Sequence, residues 1–261
     1  MNETFTSRAL LPGVWQIEDP MGVCMTLLIG NKCALLVDTG YGTADVAAYI
    51  ATLTDKPLTV LLTHAHHDHA LGARWFERTL MFPEDAGAFA RYTGEAFRTR
   101  VAASARSKNV ALPADFLTAP IPLPEPLTEG DIPLGGITAR VMRVPGHTPG
   151  SAVVYVPELS LLLTGDDWNP CTWLFFPEAL DVRSYRQHLR GLMALPFRHV
   201  ICSHRTALYP RDILEDFASA LTDEVLSAAI PVDVGYPEDT RQAQLPHEQV
   251  LVFDWQKFLK E

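Results

Sequence analysis

Short apolar runs broken by turn residues dominate the first forty or so positions of the chain. VWQI from Val14, CMTLLIG from Cys24 and CALLVDTG from Cys33 read as strands, and Gly30-Asn31-Lys32 between the last two is a hairpin turn signal. Their alternation is loose and the runs are apolar, which suits sheets buried on at least one face. Residues 43 to 54, TADVAAYIATLT, switch to a helical period, with Thr43 as the candidate N-cap. Pro57 then leads into LTVLLTHAHHDHALG, a short β-rich strand that ends in a histidine cluster. From Arg74 to about Phe116 the pattern is mostly helical, and residues 83 to 116 read as a helical insertion in which Met81, Phe82, Phe89, Tyr92 and Phe97 either pack or line a pocket. Residues 118 to 135 are Pro-rich turns and short strands. From Ile137 to Asp167 the order is strand, loop, strand, hairpin, strand, loop. Residues 181 to 194 and 210 to 229 predict helices, with the strand HVICSH between them, and the tail QVLVFDWQKFLKE predicts a final strand or short helix. There is no internal repeat, no low-complexity tract and no linker that marks a boundary, so residues 1–261 read as a single domain.

Composition narrows the function classes. Apolar residues make up 48% of the 261, enough for a sizeable core. The formal charge of −10, from 21 basic and 31 acidic residues, argues against binding driven by a nucleic-acid backbone. No run approaches the length of a membrane span, and the first fifteen residues lack a basic start with an apolar stretch behind it. Cys24, Cys33, Cys171 and Cys202 are too scattered for a disulfide scaffold or a C-x-x-C pair. These features point to a cytoplasmic protein with a small-molecule substrate and neither membrane nor nucleic acid as partner. One stretch runs against the overall charge: Arg91, Arg98, Arg100, Arg106 and Lys108 face only Glu95. It is either a solvated helix face or a lid offering positive charge to an anionic substrate.

The chemistry concentrates in Thr63-His64-Ala65-His66-His67-Asp68-His69. On extended backbone His64 and His66 share a face, Asp68 continues that register, and His69 reaches a neighbouring direction if the chain turns into a helix. Four imidazoles and a carboxylate within six residues are costly to bury unpaired. They suit a borderline metal such as Zn2+. His147 in VPGHTPG, Asp166 after LLLTG and His204 after VICS also stand where a strand gives way to a loop, the usual station of functional residues on a rigid frame. Gly146 and Pro149-Gly150 read as a turn that sets His147.

Together THAHHDH, PGHTPG, LTGD and SH resemble the metallo-β-lactamase superfamily of hydrolases, over roughly residues 14 to 207. The resemblance implies an α/β fold, an αββα four-layer sandwich, here with the helical insertion near residues 83–116. It implies that His64, His66 and His147 hold one zinc, that Asp68, His69 and His204 hold the second, and that Asp166, rather than its neighbour Asp167, bridges the two. The cofactor expected is therefore two Zn2+, with iron or manganese as alternatives. A metal-bridging hydroxide would attack the substrate, with Asp68 and Asp166 as the catalytic carboxylates. His67 breaks the register and is expected to face away from the metals. Asp38 is either a carboxylate orienting a ligand histidine, as the resemblance suggests, or a turn former before Gly40. Tyr41 is a candidate donor to a developing oxyanion.

The bridging aspartate points away from β-lactam hydrolysis, and GHTPG is similar to the turn of glyoxalase II-type thioesterases. The expected reaction is cleavage of a small ester-like bond, thioester or lactone first, with β-lactam and phosphodiester hydrolysis as alternatives within the fold. An iron-dependent, sulfur dioxygenase-like oxidoreductase is a further alternative. Basic residues matching a glutathione-recognition extension cannot be placed. After Asp166 the chain reads Asp167-Trp168-Asn169-Pro170-Cys171-Thr172-Trp173-Leu174-Phe175-Phe176. Trp168, Trp173 and Phe175 are candidate pocket residues, the alternatives being a helix-docking core or a homodimer contact.

Overall fold

The computed structural model describes residues 5–236 and 238–259. The first sheet runs in chain order: β1 (Thr6–Leu11), β2 (Val14–Glu18), β3 (Cys24–Ile29), β4 (Ala34–Val37), β5 (Leu58–Leu61), β6 (Leu80–Met81) and β7 (Glu125–Pro126). β3 and β4 form the expected hairpin, and β4 then pairs β5 in parallel across helix α1 (Val46–Leu53). The second sheet contains β8 (Gly130–Pro133), β9 (Thr138–Arg143), β10 (Ala152–Val156) and β11 (Leu161–Leu163). Strand β12 (Cys171–Leu174) leaves it, and β13 (His199–Ile201) and β14 (Tyr209–Pro210) complete it, with β13 parallel to β11. A third sheet joins β12 to β15 (Ile230–Pro231), β16 (Thr240–Gln244) and β17 (Val250–Asp254), with β12 and β17 parallel.

The loose alternation has a physical cause, because both faces of the central strands are buried. Leu35 and Val37 of β4 face the second sheet, whose Val154, Val156, Leu161, Leu163 and Ile201 close that inner core. Ala34 and Leu36, on the opposite face, pack with Val46 and Ile50 of α1. On the far side of the second sheet, Val153, Tyr155, Leu162 and Val200 meet helices α5 (Val182–Leu192), α6 (Arg211–Ala220), α7 (Asp223–Ser227) and α8 (Trp255–Leu259), together with the third sheet. The layers are helix, sheet, sheet and helix, the αββα sandwich.

One local reading is corrected. Asp45, not Thr43, caps α1, because its carboxylate accepts the Ala48 amide at 2.9 Å while Thr43 is buried upstream. The insertion near residues 83–116 carries a 3-10 turn (Pro83–Asp85) followed by helices α3 (Ala86–Tyr92) and α4 (Glu95–Ser107). Beyond it the chain folds back on Arg98, whose guanidinium donates to the carbonyls of Thr93 and Ala119 at 2.6 Å each. The tail forms both a strand and a helix, β17 followed by α8. Among the described residues no helix is long and apolar enough to cross a membrane.

Candidate metal centre

The parallel pairs β4–β5 and β11–β13 end at the same edge of the sandwich, and their following loops carry Asp38, His64, Asp166 and His204. The two sheets are stitched there by main-chain bonds: Ala152 donates to the Thr63 carbonyl at 2.8 Å, and Cys24 to that of Ser203 at 2.7 Å. After β5 the backbone bends at Thr63 and His64, is extended at His66 and then enters a short helix, α2 (His67–Ala70). Asp68 and His69 therefore reach their places from a helical turn, not by continuing the strand register.

Two groups of ligand-type atoms result, each with its atoms within 4.8 Å of one another. His64, His66 and His147 form one. Asp68, His69, Asp166 and His204 form the other. Asp166 Oδ2 lies 2.9 Å from His204 Nε2, 3.4 Å from His69 Nε2 and 3.7 Å from His147 Nε2, so it faces both groups. Asp68 Oδ2 lies 3.5 Å from His69 Nε2 and 3.6 Å from His204 Nε2. Asp167 takes a different part, its Oδ1 accepting the His147 amide at 3.0 Å.

The donor set fits metal ions. His64 Nε2, His69 Nε2 and Asp166 Oδ1 are buried with no hydrogen-bond partner, a costly state for atoms with lone pairs or protons to satisfy. The other nitrogen of each of several imidazoles is anchored from behind. His64 Nδ1 meets Thr63 Oγ1 at 3.0 Å, His147 Nδ1 meets the Trp173 carbonyl at 2.6 Å, and His69 Nδ1 meets Asp38 Oδ2 at 2.9 Å. His66 Nε2 meets Glu178 Oε1 at 2.8 Å, leaving its Nδ1 2.9 Å from His147 Nε2.

Charge differs between the groups. Burial, with the other imidazoles beside it, pushes His64 well below the usual histidine range, and burial takes His147 down to about 4. His64 and His147 are therefore neutral and ready to donate lone pairs. In the second group, burial opposes charge on Asp68 and Asp166, but His69 and His204 outweigh it and hold both carboxyls well below the usual range. Burial likewise opposes a charged His69, and Asp166, Asp68 and Asp38 overcome it, raising His69 well above its ordinary value. Without an ion, protonated imidazoles supply the positive charge between the carboxylates.

Buried carboxylates brace the ligand loops. Asp38 accepts from the Thr63 amide at 2.7 Å, from the Thr63 hydroxyl and from His69, so it orients a candidate ligand histidine. Asp85 accepts from the Ala65 amide at 3.1 Å, the Thr148 hydroxyl at 2.8 Å and the Gly150 amide at 2.7 Å, tying the His64–His66 loop to the His147 loop. A Cβ at Gly146 would stand 2.6 Å from the Tyr185 ring, and one at Gly150 2.7 Å from the Asp85 carboxyl carbon, so both turns need glycine for close approach.

A cavity of about 320 Å³ opens onto the groups. Tyr41, Tyr92, Trp173, Phe176 and Tyr236 line it, with Asn169, Cys171 and Arg205 also on its wall. The Tyr41 phenol is pushed up by burial, with Asp68 adding, so it stays protonated as a donor. His67 joins neither ligand group. It lines the cavity and packs against Tyr41, Tyr92 and Phe97. Of the aromatic candidates after Asp166, only Trp173 reaches the wall. Trp168 and Phe175 are fully buried in the core below the second sheet, Trp168 donating to Gln249 Oε1 at 3.0 Å. Aromatic density marked the segment but not which face of β12 and its flanks each ring would take. Tyr92, which the sequence offers as packing or lining a pocket, stands on the wall, as does Phe176 from the aromatic segment after Asp166. Glu178 and Tyr236 lie far along the chain from the histidine motif, which leaves no local signal for either. The Glu178 carboxyl is brought down to about 2 because the hydrogen bond and charge of His66, with the Tyr92 phenol, outweigh burial.

Acyl-coenzyme A thioesterase MBLAC2 of Gallus gallus is 28% identical over 216 residues, covering 73% of this chain and 76% of that protein. A hydroxyacylglutathione hydrolase of Cereibacter sphaeroides is 34% identical over 147 residues, 55% of this chain, and the match spans only 46% of that enzyme. The crystal structure of TTHA1623 in a di-iron-bound form superposes with a TM-score of 0.53 at 25% identity, covering 73% of this chain and 91% of that one. The family model described as the metallo-beta-lactamase superfamily matches residues 19–204. With the αββα sandwich and the ligand groups at its edge, this match shows that the chain belongs to the metallo-β-lactamase superfamily.

Proposed function

We propose that the chain is a binuclear metal-dependent hydrolase that cleaves a small ester-like substrate, a thioester before a lactone. The observation that carries this reading is the pair of ligand groups, both faced by Asp166, on the floor of one aromatic-walled cavity. The relatives' names, an acyl-coenzyme A thioesterase and a hydroxyacylglutathione hydrolase, support the thioester. The di-iron form of the fold neighbour supports two ions.

His64, His66 and His147 would hold one ion and Asp68, His69 and His204 the other, with Asp166 toward both. Zinc suits the imidazole-rich donors, with iron or manganese as alternatives. Bound there, two such ions supply an activated water and a polarised carbonyl. The protein's own residues do the rest. Asp68 and Asp166 line the cavity floor, where they would act as the catalytic carboxylates of this reading. The Tyr41 phenol offers a proton donor at the wall, and Trp173, Phe176 and Tyr236 exclude water around an apolar acyl group. On this reading the three sheets and the α3–α4 cap work as one domain, on a small molecule, in the cytoplasm.

The test is a hydrolysis screen of matched thioesters, lactones, β-lactams and phosphodiesters, run with metal analysis of the same sample. Thioesters should turn over fastest, and chelation should abolish turnover. Preference for a β-lactam, or oxygen-dependent turnover with a single iron, would replace this reading.

A further inference from the structure

We infer that Glu178 is a positioning residue for His66, supplied from outside the histidine motif and itself held by the α3 cap. Within the three-histidine group, His64 is backed by a hydroxyl and His147 by a main-chain carbonyl. His66 alone in that group is backed by a carboxylate, Glu178 Oε1 at 2.8 Å from Nε2. The contact is secluded, with the two side chains only 5% and 11% exposed. Glu178 is fixed in turn by two neighbours at the end of α3. The Tyr92 phenol donates to Oε1 at 2.6 Å, and the Arg91 guanidinium pairs with Oε2.

A carboxylate accepting from Nε2–H selects the tautomer in which Nδ1 carries the free lone pair, and it raises the basicity of that nitrogen. Nδ1 of His66 is the atom that faces His147 Nε2 and the centre of the group. The same carboxylate thus does two things: it orients a ligand and it fastens the cap over the cavity. Among the described residues, this ties the insertion to the ligand group by a charged contact that neither the motif nor the fold requires.

The inference rests on His66 being a metal ligand, and the experiment separates the two. Zn2+ is titrated into metal-free full-length protein against a chromophoric chelator, and Co2+ is titrated with its absorption spectrum recorded. Wild type, His66→Ala, Glu178→Ala and the isosteric Glu178→Gln are compared. Wild type is expected to take two equivalents and His66→Ala to lose tight binding of one. Glu178→Ala is expected to weaken that same equivalent about 10–100-fold, with a changed Co2+ spectrum, and to leave the other equivalent unmoved. Glu178→Gln keeps an acceptor for Nε2–H and should recover most of the loss. If His66→Ala is weakened while Glu178→Ala matches wild type, the positioning role is overturned and the ligand reading stands. Equal weakening of both equivalents in Glu178→Ala and Glu178→Gln overturns it too, because that reports general loosening. If wild type takes no metal, or His66→Ala binds as wild type does, the ligand reading falls and the inference with it.

Discussion

Asp38 holds a left-handed backbone, φ +68°, at a fully buried site, a conformation that costs a non-glycine residue about 1–2 kcal/mol. The cost is offset by what its two oxygens hold, the Thr63 amide and hydroxyl and His69 Nδ1. Asp38→Asn tolerates that backbone and keeps one acceptor but loses the charge behind His69. Turnover and metal affinity should fall about 10–100-fold while far-UV circular dichroism is unchanged. Unaltered affinity would show that Asp38 serves the turn alone. Asp68→Ala removes a ligand-type group instead of a support, so its loss should exceed about a hundredfold, again with the fold retained. A wild-type rate in metal-replete Asp68→Ala protein would refute that role. At this scale the sequence exposes what is dense and local. His64, His66, Asp68 and His69 announce themselves within one segment, and His147, Asp166 and His204 follow their strands. Glu178 shows nothing, since its meaning comes from His66, 112 positions away. Trp168 and Trp173 look alike in the chain, yet one fills the core and the other the cavity wall.

The elements are the better-determined level. Hydrophobic runs place β3, β4, β10 and β11 because nearly all their residues are buried, and Gly30-Asn31-Lys32 marks the β3–β4 turn. Helix ends are less determined, since a cap depends on which side chain finds an amide, as Asp45 does for Ala48. The loop between β9 and β10 shows how an element fixes the site. Its Gly150 lies against Asp85, whose carboxylate spans to the loop before α2. Gly150→Ala would drive a methyl group into that buried carboxyl, and overpacking of this kind costs about 1–3 kcal/mol. Chemical denaturation should show that loss, with weaker metal binding at the three-histidine group alongside it. Unchanged stability would mean that Asp85 can move without consequence.

At the scale of the whole molecule, the sandwich serves to bring the ends of two parallel strand pairs, one from each sheet, to a common edge. The two-sheet core follows from the family resemblance that the histidine motifs carry. The third sheet does not, because β12 and β17 are separated by some seventy-five residues and pair in parallel through contacts no local pattern encodes. Part of the net charge of −10 is gathered in Asp68 and Asp166 of the candidate metal centre. The two groups collect buried, unsatisfied lone pairs, so ions should bind the folded state and stabilise it. At about a hundred times its dissociation constant, each ion adds about 2.7 kcal/mol, or on the order of 5–10 °C in a domain of this size. Thermal melts with and without chelator should differ by that much for each ion bound, and coincident melts would argue against preformed sites. The most direct measurement is thioester turnover by the metal-stripped chain as zinc, iron or manganese is returned stepwise. Turnover should be absent in the stripped protein, rise with added metal and level off near two equivalents. Turnover that survives stripping, or none at any metal loading, would contradict a binuclear hydrolase.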